Sequence, residues 1–112
     1  MIFEVRNYHI DPVVFDEYKE WMNAEPLAYL KKNLDIVGFW LGTNVEPEIK
    51  GVPHGDLGFA NVTWIIRWVN MEQRNKVLPE VIGTSEWAEL FARAPGKGER
   101  HLRIESRFME ML

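Results

Sequence analysis

The sequence predicts an α+β domain of ferredoxin-like type, with four strands in one antiparallel sheet and the helices packed on one side. Three observations carry this. Four segments alternate apolar and polar residues with the two-residue period of strands, while two others carry apolar residues at helical spacing. Along the chain these segments follow the order β-α-β-β-α-β. Right-handed crossovers then close the order most simply as a four-stranded sheet with both helical segments on the same face. A length of 112 residues suits a single domain, 1–112, and leaves little room for a second core.

Over residues 2–10, Phe3, Val5, Asn7 and His9 fall on one face of a strand, and Ile2, Glu4, Arg6, Tyr8 and Ile10 on the other. The face with the charged pair is expected to point away from the helices, which puts Asn7 and His9 on the core side. Asp11-Pro12 stops the strand and opens a helix, with aspartate as cap and proline in the first helical position. Val14, Phe15, Tyr18, Trp21 and Met22 then form one apolar helical face, which Pro26 interrupts before a further turn or two reaches Leu30. Residues 36–43 read as the second strand, with Gly38 and Gly42 leaving the facing of Trp40 open.

The connection 44–57 holds Pro47, Gly51, Pro53 and Gly55, and its length predicts a functional segment, here a lid over a pocket. Residues 59–69 form the third strand, with Val62, Trp64, Ile66 and Trp68 toward the core. Asn70 caps the next helix and Gln73 occupies the capping-box position. Pro79 and Gly83 are expected to break this helix. Thr84-Ser85 restarts a short one through Ala94, presenting Trp87, Leu90 and Phe91, and Pro95-Gly96-Lys97-Gly98 ends it. Residues 102–109 make the last strand, alternating Leu102, Ile104, Ser106 and Phe108 with Arg103, Glu105, Arg107 and Met109.

One sheet face is left without helices, carrying Glu4, Arg6, Tyr8, Thr63, Ile65, Arg67, Arg103, Glu105 and Arg107. Two such faces packed across a two-fold axis would bury each other and close a barrel, so a homodimer is expected. The charges on this face read as cross-strand ion pairs that fix register. Arg6 with Tyr8 is the alternative, as a site for a carboxylate or enolate.

Composition narrows the function. The net charge of −4 and the lack of a basic stripe argue against a nucleic-acid partner and against binding to an anionic membrane surface. No apolar run approaches the roughly 20 residues that span a bilayer. The absence of cysteine removes disulfides, thiolate nucleophiles and cysteine metal clusters. The opening Met1-Ile2-Phe3-Glu4 lacks the basic-then-apolar pattern of an export signal, so a cytoplasmic location is expected.

Five Trp, six Phe and three Tyr exceed what a core of this size asks for. By parity or helical phase Tyr18, Trp21, Trp64, Trp68, Trp87 and Phe108 point between sheet and helices. They read either as bulky core or as the walls of an apolar pocket, with Asn7, His9 and Ser106 orienting a ligand.

The topology also brings His9, His54 and His101 to one end of the sheet, with Asp11 and Asp56. His9 is then a candidate general acid or base. The cluster is alternatively a metal set, an ordinary structural group, or the source of an axial haem ligand in His9. No ligand spacing is diagnostic, and Gly96-Lys97-Gly98 is a helix terminator rather than a phosphate loop.

Five segments in order carry a resemblance: Phe3-Glu4-Val5-Arg6-Asn7-Tyr8; Gly38-Phe39-Trp40; Ile66-Arg67-Trp68 leading into Met71-Glu72-Gln73-Arg74; Glu86-Trp87 through Phe91; and Glu105-Ser106-Arg107-Phe108. Together they resemble the NIPSNAP family, a branch of the dimeric α+β barrel superfamily, over nearly the whole chain. The 44–57 connection departs from the family pattern, in which a shorter link is expected.

The resemblance implies a dimeric barrel. Its wider superfamily includes cofactor-independent monooxygenases, muconolactone-type isomerases, cyclases, lyases and haem enzymes, so it implies small-molecule chemistry without fixing a reaction. The expectation is an enzyme that acts without a cofactor or metal on a hydrophobic, aromatic or polyketide-like molecule. His9 would be its acid–base group and Asn7 would orient the substrate. Tyr18, Trp21, Trp64, Trp68, Trp87, Ser106 and Phe108 would bind it. The alternatives are a non-catalytic small-molecule binder or interaction protein, and a haem- or metal-dependent enzyme.

Overall fold

The computed structural model describes residues 1–49 and 55–112; His54 and the middle of the expected lid lie outside the described residues. The strands are β1 (Ile2–Ile10), β2 (Ile36–Leu41), β3 (Val62–Trp68) and β4 (His101–Met109). The α-helices are α1 (Phe15–Ala24), α2 (Pro26–Asn33), α3 (Met71–Ile82) and α4 (Ser85–Ala92). The sheet runs β2-β3-β1-β4 with every neighbouring pair antiparallel, which is the ferredoxin-like order expected from the sequence.

Local chemistry explains the boundaries. Asp11 accepts a hydrogen bond from the Val13 amide at 3.0 Å and opens a short 3₁₀ turn ahead of α1. Pro26 starts α2, in a first-turn position where its missing N–H costs nothing. At α3 the Asn70 side chain accepts from the Gln73 amide at 2.9 Å, and Gln73 reaches back to accept from the Val69 amide at 2.7 Å. Thr84 caps α4 by accepting from the Trp87 amide at 3.1 Å.

Two expectations are corrected here. Pro79 does not break α3 but lies inside it, near the C-terminal end, and the Gly83 amide donates to the Pro79 carbonyl at 2.9 Å. A proline there forgoes one intrahelical bond in the last turns, which tertiary packing outweighs. The third strand also begins at Val62 rather than at residue 59.

The larger correction concerns which way β1 faces. Ile2 pairs with Trp68, Glu4 with Ile66, Arg6 with Trp64 and Tyr8 with Val62. Residues opposite one another on adjacent strands share a face, and the apolar face of β3 is turned to the helices. Ile2, Glu4, Arg6, Tyr8 and Ile10 therefore face the helices, and Phe3, Val5, Asn7 and His9 lie on the outer side, the reverse of the sequence expectation. On the outer side they join Thr63, Ile65 and Arg67 of β3 and Arg103, Glu105, Arg107 and Met109 of β4.

Trp40 also belongs to the outer side, opposite Thr63. Its indole lies over Gly38, where a Cβ would come within 2.3 Å of the ring, so glycine is what lets the ring lie flat on the strand.

The core holds Ile10, Tyr18, Leu30, Leu78 and Leu90 together with the four inward residues of β3. Two side-chain bonds tie the helix pairs together across it. Trp21 Nε1 donates to the Leu90 carbonyl at 2.9 Å, and Tyr29 Oη donates to the Val81 carbonyl at 2.6 Å. Among the described residues no helix is long and apolar enough to cross a membrane.

Candidate functional site

Between the sheet and the helices lies a cavity of about 200 Å³. Arg6 and Tyr8 of β1, Phe39 of β2 and Trp64 of β3 make its floor. Tyr18 and Trp21 of α1 and Trp87 and Phe91 of α4 make its walls, and His101 closes one end. The rings touch one another edge-on or tilted, as their quadrupoles favour: Phe39 and Trp64 at 5.5 Å, Tyr18 and Trp21 at 5.7 Å, Trp21 and Phe91 at 6.1 Å between centroids.

His101 enters through an irregularity in β4. Pairing with β1 runs in step down to His9 opposite Arg103, then shifts so that Ile10 opposes His101, leaving Leu102 as the extra residue. The bulge turns His101 to the helix side, where its imidazole sits 5.5 Å from the Tyr8 ring and 5.6 Å from the Tyr18 ring. Gly98, just before, takes a left-handed backbone (φ 91°), and a Cβ there would stand 2.8 Å from the Phe91 ring. Burial lowers the pKa of His101 below its ordinary 6.5, more than its hydrogen bond with the Gly98 backbone raises it. At neutral pH this imidazole is uncharged and basic.

The other end of the β1 face carries charge. Glu4 is fully buried. Its carboxylate accepts from Arg6 Nε at 2.9 Å, from Arg74 Nε at 3.1 Å and Nη2 at 3.3 Å, and from Trp68 Nε1 at 3.1 Å. Burial works to raise its pKa, but the Arg74 hydrogen bonds and the Arg6 guanidinium outweigh that and hold it below the ordinary 4.5. Arg6 Nη1 donates to Tyr8 Oη at 3.1 Å, and its guanidinium lies 5.3 Å from the Trp64 ring centroid.

Two buried polar atoms of the cavity-lining side chains, Tyr18 Oη and Trp64 Nε1, have no hydrogen-bond partner among the described residues. Such atoms are rare in folded proteins and costly. Burial also raises the pKa of the Tyr18 hydroxyl well above its ordinary range, so it remains an O–H.

Of the residues singled out from the sequence, Tyr18, Trp21, Trp64 and Trp87 meet at this cavity. Trp68 is buried behind it, committed to Glu4. Ser106 lies opposite Arg6 but is exposed, and Phe108 covers the Arg74 guanidinium at 5.3 Å while remaining 45% exposed. Asn7 and His9 are on the outer face: Thr63 Oγ1 donates to Asn7 Oδ1 at 2.6 Å, and His9 Nδ1 lies 3.0 Å from the Phe59 carbonyl.

His9 and His101 thus share an end of the sheet, as expected, but on opposite faces. Among the described residues no three His, Asp or Glu side chains converge as a metal set. The sequence reading missed Phe39, Phe91 and His101 as cavity residues and left Arg6 and Tyr8 as a minor alternative. The facing of Arg6 and Tyr8 is settled by the register of β1 on the inner face of β3, which alternation alone does not fix.

No family model and no curated protein matches the sequence. Solved structures do share the fold. A NIPSNAP family protein of Agrobacterium tumefaciens superposes with a TM-score of 0.77 at 17% identity, covering 99% of this chain and 85% of the other. An uncharacterised NIPSNAP-like domain protein of Burkholderia xenovorans gives 0.76 at 16% identity, covering 99% and 84%. An antibiotic biosynthesis monooxygenase gives 0.59 at 12% identity, covering 100% and 99%. The architecture is that of NIPSNAP proteins, and the monooxygenase is a more distant version of it.

Proposed function

We propose that the chain is a divergent NIPSNAP relative that binds a small aromatic molecule in this cavity, with His101 as its acid–base group. The observation that carries the reading is a ring-walled cavity with a neutral imidazole at one end and, in its lining, two buried polar atoms that have no partner among the described residues. Its volume falls below the ~300 Å³ at which drug-sized pockets begin, so a molecule of one or two rings suits it. The acid–base role assigned from the sequence to His9 passes to His101, which lines the cavity where His9 does not.

In this reading the rings exclude water and hold the ligand flat, and His101 removes a proton from an acidic C–H or O–H of the bound molecule. Proton removal is the step that oxygenation, isomerisation, cyclisation and lyase chemistry on such compounds have in common. The fold shared with a protein named as an antibiotic biosynthesis monooxygenase supports small-molecule chemistry of this kind.

The same reading includes a homodimer. The outer face holds Phe3, Val5 and Ile65 between charged rows, and Trp40 is 49% exposed beside them. A second copy, its face turned to this one, would cover that surface and close a barrel.

Titration with 2-naphthol, followed by NMR of the His9 and His101 imidazoles, tests the site. Saturable binding should shift the His101 resonances and leave those of His9 in place. Movement of His9 with His101 unaffected would transfer the site to the outer face and end the proposal.

A further inference from the structure

Apart from the His101 imidazole, the polar groups left uncommitted in this cavity are of one kind. Arg6 spends Nε on Glu4 and Nη1 on Tyr8, and among the described residues nothing meets its Nη2. Trp64 Nε1 can only donate. Tyr18, buried and without a partner among the described residues, retains its O–H as a third donor. Among the described residues no carboxylate stands in the cavity lining to receive any of them.

Charge points the same way. Two guanidiniums, Arg6 and Arg74, address the single carboxylate of Glu4, so the cluster keeps a net positive charge. Glu4 does not need both. Arg74 supplies a bond to each of its oxygens and Trp68 supplies another, so a structural ion pair is complete without Arg6. Arg6 is the guanidinium that lines the cavity, and its Nε bond to Glu4 and its position over Trp64 fix the plane in which its remaining N–H groups lie.

We infer that the ligand of this cavity is an aromatic oxyanion, whose charged oxygen is received by Arg6 while its rings lie among Tyr18, Trp21, Trp64 and Trp87. Glu4 is the positioning residue that holds the guanidinium in place. The inference rests on the reading of this cavity as a small-molecule site and narrows its substrate class to carboxylates, phenolates or enolates on one or two rings. Charge-assisted hydrogen bonds are shorter and stronger than neutral ones, so the charge should decide affinity among molecules of the same shape.

Isothermal titration of the full chain with 2-naphthoate and with its neutral isostere 2-naphthamide tests this without any variant. The carboxylate should bind at least tenfold more tightly than the amide, and raised salt should narrow the gap. Equal affinities would overturn the oxyanion while leaving a small-molecule site in place. Failure of both probes to bind would overturn the cavity reading and the inference with it.

Two variants then locate the effect. Arg6→Gln should bring the 2-naphthoate affinity down to that of 2-naphthamide. Glu4→Gln should weaken 2-naphthoate severalfold and leave 2-naphthamide unchanged, whereas a merely structural role for Glu4 would weaken both alike. A carboxylate preference that survives Arg6→Gln would also overturn the assignment.

Discussion

The two faces of the sheet distribute charge and apolar surface in opposite ways. Beneath the helices, where apolar residues are expected, a carboxylate is fully buried between two arginines and a tryptophan N–H. On the open side, where charge is expected, Phe3, Val5 and Ile65 form a strip between Arg67 and the Arg103, Glu105 and Arg107 of β4. Charge sits inside when its partners are inside with it. An apolar strip lies outside when something else can cover it.

The sharpest way to break this comparison is to remove Glu4. Glu4→Ala leaves Arg6 and Arg74 facing each other without a carboxylate and strands the Trp68 N–H. Loss of one member of a buried ionic network costs ~3–5 kcal/mol, read by urea denaturation at pH 7. A β1 turned the other way would expose Glu4, and the change would then fall within ~0.5 kcal/mol.

The network also has a pH signature. Because the Glu4 pKa is lowered in the folded state, its stabilisation is present above the ordinary 4.5 and is lost as pH falls through the folded value. Glu4→Gln should therefore flatten the acid limb of the stability profile.

On the outer face, Trp40→Ala should weaken self-association about thirtyfold, since interface tryptophans are worth ~2 kcal/mol or more. Sedimentation velocity reads this, and a wild-type chain that stays monomeric at high concentration would defeat the barrel. Smaller again, Tyr18→Phe removes a buried hydroxyl that lacks a partner and should raise stability by ~1 kcal/mol while loosening 2-naphthoate. A loss of stability instead would show that the hydroxyl is satisfied in solution. The smallest effect belongs to His101: with its pKa lowered by burial, folding should weaken slightly as pH drops through the ordinary 6.5, and His101→Gln should abolish that slope.

What the sequence revealed and what it hid have physical causes. β3 was legible because Val62, Trp64, Ile66 and Trp68 admit only one inner face, and Asn70 and Thr84 announced their helices through short-range hydrogen bonds. Tyr18, Trp21 and Trp87 followed from helical phase. β1 was ambiguous because both of its alternating sets mix apolar and polar residues, and the arginine that settles Glu4, Arg74, lies 70 positions away on another element. Ser106 and Phe108 were on the correct face, but β4 is an edge strand whose far end the helices leave exposed. His101 was hidden because alternation cannot anticipate a shift in register.

That shift gives the cavity an unusual mutational geography. Substitutions can alter its rings one at a time, but the facing of its imidazole depends on the register of β4. Deleting Leu102 would put β4 back in step with β1 and leave His101 opposite Ile10, still on the helix side, because the deletion removes the extra residue itself. A regular ladder that kept Leu102 would instead seat Leu102 opposite Ile10 and turn His101 to the side that His9 occupies, so the imidazole enters the pocket by virtue of where the irregularity falls in β4.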